Sequence, residues 1–269
     1  MSTAASGIQL VRELVAICGA DYVLEGGPLP RDFGVPGLTP WLTVTPADAM
    51  EVAAVLRVAN HHDISVVPMG GHAEQDTGLA VAPGAIVLRT SRLLGIEHYD
   101  PGDLTLGAGA GYRVRELREL TAGQNQMLAL DPPAADRCTI GGVLATTVHG
   151  PLRHGFGGVR DFCIGIRFVT GDGRIGKAGG RVVKNVAGYD LMKLLIGSRG
   201  TLAVITGASF KLFPAVGQTR TFLATFVNSR DVCEFRDAVL KSPLTPLCVE
   251  LVSPRSWSLI QNDGEQPDG

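Results

Sequence analysis

The chain has 269 residues, enough for one large domain or two modest ones around a sizeable core. Its 24 basic and 26 acidic residues leave a net charge of −2, which excludes the basic stripe of a duplex-binding protein. With 45% hydrophobic and 19% charged residues, it also falls outside the disordered class.

A helix is predicted around Ile8–Cys18, followed by a proline- and glycine-rich run from Gly26 to Pro40, so residues 1–40 read as an N-terminal helix and extended segment. Trp41–Thr45 reads as a strand. Thr45-Pro46-Ala47-Asp48 then supplies an N-cap and a proline at the first helical position. Val52, Val55, Leu56 and Ala59 follow at helical spacing. Ile64–Pro68 is a short β-branched strand leading to Gly70-Gly71, which completes a β-α-β unit whose two strands are expected to pair in parallel. Short strands follow at Ala85–Arg89, Gly95–Tyr99 and Asp103–Gly107, and then a helix at Arg113–Leu120. Between Asp131 and Val159 the chain is dense in Gly, Pro and Thr and shows no period.

Cys163–Thr170 reads as a strand into the turn Gly171-Asp172-Gly173, Asp190–Ile196 as a short helix, and Leu202–Phe213 as a long strand ending at Pro214. A domain boundary is expected near Pro214–Gln218. Beyond it lies a second β-α-β unit, Arg220–Val227, Arg230–Leu240 and Leu247–Val252, with Pro254–Ile260 fading into a polar tail. The units are therefore 1–40, 41–214 and 219–269.

No apolar run reaches the roughly 18 residues of a membrane helix, and the N-terminus lacks the basic flank and apolar block of a signal peptide. The five cysteines, Cys18, Cys138, Cys163, Cys233 and Cys248, are far apart and never form C-x-x-C. They read as reduced thiols of a cytoplasmic protein, with neither a disulfide frame nor a metal site. Gly107-Ala108-Gly109-Ala110-Gly111 misses the G-x-G-x-x-G spacing. Gly171 to Lys177 matches most of a P-loop, but Ala178 replaces the magnesium-binding hydroxyl, and a hairpin turn at Asp172-Gly173 explains it better. There is no H-E-x-x-H and no G-x-S-x-G.

The 35 glycines are roughly twice ordinary usage, and three clusters stand at strand ends. Pro68-Met69-Gly70-Gly71-His72-Ala73 lets backbone N–H groups converge on an anion such as a pyrophosphate, or forms a plain tight turn. Asp131-Pro132-Pro133, Thr139-Ile140-Gly141-Gly142 and Ala145-Thr146-Thr147-Val148-His149-Gly150 offer hydroxyls and amides for phosphates and a heterocycle edge, or form a structured surface loop. In Gly197-Ser198-Arg199-Gly200-Thr201-Leu202-Ala203-Val204-Ile205 a helix ends on glycine and a strand starts at once, leaving backbone groups free at the junction.

The order of these segments resembles the FAD-binding domain of the vanillyl-alcohol-oxidase type flavoproteins over residues 40–214. The run Gly179-Gly180-Arg181-Val182-Val183-Lys184-Asn185-Val186-Ala187-Gly188-Tyr189-Asp190-Leu191, with Gly197 to Pro214, is similar to the smaller FAD-binding subunit of bacterial glycolate oxidases. The resemblance implies an α+β fold of two subdomains with FAD extended between them, followed by a partial α/β cap domain that contributes to the substrate site. It implies that Pro68, Met69, Gly70, Gly71, His72, Ala73 and Glu74 wrap the pyrophosphate. Pro133 to Thr139 and Thr146, Thr147 and His149, with Ile140, Gly141, Gly142 and Gly150 in the same run, would line the flavin and ribityl side. Arg199 to Ile205, with Gly200, Thr201 and Ile205 foremost, would meet the dinucleotide through backbone groups.

The activity implied is that of an FAD-dependent oxidoreductase acting on the CH–OH group of glycolate or a related 2-hydroxy acid. A hydride would pass to the flavin and its electrons to an acceptor other than oxygen. The partners implied are a second flavoprotein subunit and an iron–sulfur subunit. Two other readings stand beside it: a non-catalytic FAD-binding electron-transfer or structural subunit, and a small oxidase with flavin covalently linked to His72.

Relatives of the glycolate type usually carry a third glycine and then a threonine where this chain has His72-Ala73. Some flavoproteins of the same fold have Gly-Gly-His here, the histidine bonded to the flavin 8α-methyl; otherwise His72 hydrogen-bonds the pyrophosphate or its own loop. Cys138 stands one residue out of register with a second attachment point of a few relatives. The His-x-x-x-Gly-Asp-Gly-Asn type segment of full-length hydroxy-acid oxidising relatives is missing, so the catalytic base is unassigned. Arg153, His154 and Arg160 either bind a carboxylate or the reduced flavin, or make ordinary loop contacts. Lys184, Tyr189 and Asp190 are expected to fix the loop packed on the flavin domain, and His61-His62 to end a helix.

Overall fold

A computed structural model describes residues 2–25, 41–74, 84–180 and 190–263. Two α+β halves lie one after the other. In the first, α1 (Ser2–Cys18) buries Leu10, Leu14 and Cys18, one residue per turn on a single face. β1 (Val23–Glu25) pairs antiparallel with β2 (Leu42–Val44). Helix α2 (Ala49–His61) is capped by Asp48, whose carboxylate accepts the Met50 and Glu51 amides at 2.8 and 2.9 Å. The cap therefore stands two residues beyond Pro46, which lies outside the helix instead of opening it. Val52, Val55, Leu56 and Ala59 are buried as their spacing predicts.

β3 (Val66–Met69) and β4 (Ile86–Arg89) complete a sheet of order β1-β2-β4-β3. The two strands of the β-α-β unit run parallel but are not neighbours, because β4 enters between them. Ile86, Val87 and Leu88 are fully buried, as a central strand needs. Pro68 has no N–H for a ladder, and so β3 takes the edge.

The second half is an antiparallel sheet of β5 (Ile96–Asp100), β6 (Thr105–Gly109), β10 (Ala203–Lys211), β8 (Cys163–Thr170) and β9 (Ile175–Gly179), in that spatial order. The turn at Asp172-Gly173 joins β8 to β9 as a hairpin, as expected. Helix α3 (Val114–Ala122) and the short helices α4 (Ile140–Thr146) and α6 (Val159–Phe162) pack on this sheet through Val114, Leu117, Ile140, Leu144 and Phe162. Also in this half are α5 (Arg153–Phe156) and α7 (Leu191–Leu195, capped by Asp190). β7 (Gln126–Met127) pairs with β11 (Phe213–Pro214). The halves share core: Val169 of β8 and Val204 of β10 pack with Val52, Leu56 and Leu88.

Beyond Pro214 the expected helix forms as α8 (Ser229–Lys241), and α9 (Pro254–Asp263) replaces the fading end. The strands expected at Arg220–Val227 and Leu247–Val252 do not form. Their apolar residues meet no sheet among the described residues; Phe222 is 87% exposed and Val227 wholly so. A strand without a neighbour leaves its N–H and C=O groups to water and has nothing to hold it extended.

Candidate functional site

The three glycine clusters converge where the two halves meet. After β4, the Thr90 amide donates to the Met69 carbonyl at 2.9 Å, fixing the end of β3. Gly70 and Gly71 then lie directly on the entry to α4: a side chain on Gly70 would collide with Thr139 Oγ1, and one on Gly71 with the Arg137 carbonyl oxygen. Thr139 is the N-cap of α4, its Oγ1 accepting the Gly142 amide at 3.3 Å. From the other side, the amides of Gly197 and Arg199 donate to the carbonyls of Leu144 and Ala145 at 2.9 and 2.8 Å. A Cβ on Gly200 would come within 3.3 Å of the Pro68 ring. Each cluster also holds one non-glycine residue in the left-handed region, His72 (φ 63°), Thr147 (φ 58°) and Arg199 (φ 54°). Such conformations persist where the surroundings impose them, often at ligand sites.

Between the clusters runs an open groove of about 650 Å³, the solvent-side space included. The first cluster lends it Pro68, Met69, Gly70 and Glu74, the second Gly141, Gly142, Ala145 and Thr146. The third lends Arg199, Gly200, Ala203, Val204 and Ile205. A second groove of about 590 Å³, the solvent-side space included, extends between α2 and the start of β10 past Leu56, Ile64 and Thr201. Pro68, Gly200, Ala203 and Val204 line both, so the two are continuous. Backbone, hydroxyls and small side chains dominate the surface, which suits a long ligand gripped through phosphates at its middle and packed flat at its ends.

Other expected residues stand behind this lining. Gly71 is wedged against Arg137, Ala73 packs on the core of the second half, and Ile140 is wholly buried in it. Pro133 accepts the Cys138 thiol through its carbonyl at 3.2 Å, and Thr147 Oγ1 donates to the Thr146 carbonyl at 2.6 Å. His149 and Gly150 belong to the loop after α4, with His149 against Gly158 and Gly150 against Asp131. Thr90, which lines the groove, was not expected; its only signal is its place directly after the apolar strand β4. Arg153 and His154 are exposed on α5, while Arg160 donates to the Lys193 carbonyl, an ordinary loop contact. His62 meets Glu13 of α1 at 3.3 Å. Lys184 and Tyr189 lie outside the described residues; Asp190 caps α7 by accepting the Lys193 amide at 3.2 Å.

Burial, reinforced by Arg89 and Arg137, pulls the His72 pKa down to about 4, so the ring is neutral at pH 7. Both of its nitrogens are withdrawn from solvent. Burial also lowers the His149 pKa, with Arg153 adding to the effect and Asp131 and Asp161 opposing it. The Cys138 thiol is pushed up by burial first and by Glu74 second, and Cys163 is pushed up to about 12 by its burial. Neither is a ready nucleophile.

The family model described as FAD binding domain matches residues 40–179. The chain is 32% identical to a D-lactate dehydrogenase of Archaeoglobus fulgidus over 85% of its own length and 50% of that protein's. It is 38% identical to the glycolate oxidase subunit GlcE of Escherichia coli over 55% of its length and 42% of that subunit's. Among solved structures it superposes on alkyldihydroxyacetonephosphate synthase (TM-score 0.66, 26% identity, 79% of this chain and 41% of that one). It also superposes on p-cresol methylhydroxylase (TM-score 0.72, 19% identity, 87% and 48%), a likeness of fold alone. The chain spans about half the length of the curated relatives it matches.

Proposed function

This chain belongs to the FAD binding domain family, with the two-subdomain α+β architecture of the vanillyl-alcohol-oxidase type, and from that premise we propose that it is the FAD-holding part of a 2-hydroxy-acid oxidoreductase. The residues present fit the cofactor: three glycine clusters meet along one continuous groove, and each carries a left-handed residue that turns its backbone there. Residues 68–74 would hold the diphosphate through backbone N–H groups. Gly141, Gly142 and Thr146 would lie along the ribityl and ring side, and Gly200, Thr201 and Ile205 would meet the nucleotide end. Bound FAD supplies the acceptor for a hydride from the alcohol carbon. The chain's own part is to hold and orient the cofactor and keep water from one side of it.

The observation that carries the reading is the convergence of the clusters, and the relatives named for D-lactate and glycolate support the substrate class. In this reading residues 41–214 form the flavin unit and 219–269 begin a substrate unit. The protein is cytoplasmic, and a second flavoprotein chain and an iron–sulfur chain carry electrons onward, since the five scattered cysteines here hold no cluster. No described helix is long and apolar enough to cross a membrane. In this reading flavin is held without a covalent bond, the ring nitrogens of His72 being withdrawn from solvent. The assembly recovered through a tag on this chain, made anaerobic and given glycolate, D-lactate or 2-hydroxyglutarate, is expected to lose its flavin colour with at least one of them. Colour unchanged by every 2-hydroxy acid would contradict the assignment.

A further inference from the structure

The loop after α4 is held by a residue outside the groove. Asp131 follows the buried run Leu128-Ala129-Leu130 and precedes two prolines that fix the backbone. Its half-buried carboxylate accepts two consecutive-turn amides of that loop, Gly150 at 3.2 Å and Leu152 at 2.8 Å. The approach is so close that a side chain on Gly150 would collide with both the carbonyl and the carboxylate of Asp131. On its far side the same loop runs into α5, where the Gly155 amide donates to the Leu247 carbonyl at 3.0 Å. Asp131 also acts on Cys248, whose thiol is raised by burial first and by this carboxylate second. The loop is therefore clamped between a charged acceptor and the segment at 247–248. At its start stand Ala145 and Thr146, which line the groove, then Thr147 in a left-handed turn and His149.

We propose that Asp131 is a positioning residue of the flavin site: by holding the amides of Gly150 and Leu152 it sets the loop whose first residues, Ala145 and Thr146, line the groove for FAD. This rests on the FAD reading of the groove. Two amides on one carboxylate are charge-assisted bonds, the stronger kind, and a loop with two fixed points loses less freedom when a ligand binds.

The test uses the full chain reconstituted with FAD, comparing wild type with Asp131→Asn, which keeps one acceptor, Gly150→Ala, which pushes the same loop from the other side, and the double variant. Glu119→Gln, an exposed acid of α3 paired with Arg115, is the control. Each single variant is expected to weaken FAD binding roughly tenfold or more. At saturating FAD each also shifts the visible band of the bound flavin, which a merely destabilised fold would leave in place. The double variant is expected to be no weaker than the worse single one, because both break one contact. Hydrogen exchange of the wild-type apo chain needs no variant: the amides of Gly150 and Leu152 are expected to be protected. Wild-type affinity and an unshifted band in both single variants would overturn the proposal, and so would fast exchange at both amides. A wild type that takes up no FAD would overturn the FAD reading itself, and this inference with it.

Discussion

Gly71 has no space for even a methyl group, because the Arg137 carbonyl oxygen occupies the position a Cβ would take. Gly71→Ala must therefore move backbone, and an unfolding titration in urea is expected to show a loss of about 1–3 kcal/mol, together with weaker uptake of FAD. His72, one residue on, differs in kind: its strain is local, in a left-handed backbone, and its chemistry is that of a neutral ring beside Arg89 and Arg137. Its folded pKa of about 4 lies below the value of about 6.5 in an unfolded chain. Between those limits the unfolded state binds more protons, so stability falls as pH drops from about 6.5 towards about 4 and is unaffected by this group above that window. His72→Asn suits the left-handed position, and its melting temperature, followed across the same pH range, is expected to fall less steeply than that of wild type. An identical slope would remove His72 as the cause.

At the scale of elements, Asp48 shows how a local rule works when its partners are adjacent in sequence. It satisfies two otherwise free amides of α2, so Asp48→Ala should cost about 1 kcal/mol in thermal unfolding; an unchanged midpoint would show that the core alone holds the helix. α2 was legible because its cap and apolar stripe are encoded within fifteen residues. The strand order was not. That β4 separates β2 from β3 depends on which strand tolerates burial on both faces, and Pro68 decides it only once the alternatives are compared. Helix α4 escaped notice because Thr139-Ile140-Gly141-Gly142 carries two glycines, poor helix formers, where close approach to Ala110 and Thr139 requires them. The strands expected at 220–227 and 247–252 failed for the opposite reason: their propensity was right for a sheet, but no neighbouring strand is present among the described residues.

Over the whole molecule, the site was legible as order more than as contact. Gly70, Gly141 and Gly200 were picked out by composition and strand ends, and all three line one groove. Thr90 lines the same groove, tied there by its amide hydrogen bond to the Met69 carbonyl, while Gly71 and Asp131 act from behind it, through a backbone wedge and a distant carboxylate, relations that no local spacing encodes. The two halves are joined through shared core, Val169 and Val204 with Leu56, so the grooves on either side of Pro68 and Gly200 keep their alignment. That alignment is what would let them serve as one binding site for a long dinucleotide, as proposed above. The most direct measurement is a titration of the purified chain with FAD, followed by acid precipitation. One FAD per chain, with the yellow colour left in the supernatant, is the predicted result. A chain that stays colourless through the titration would contradict the account, and colour in the pellet would contradict the non-covalent assignment made for His72.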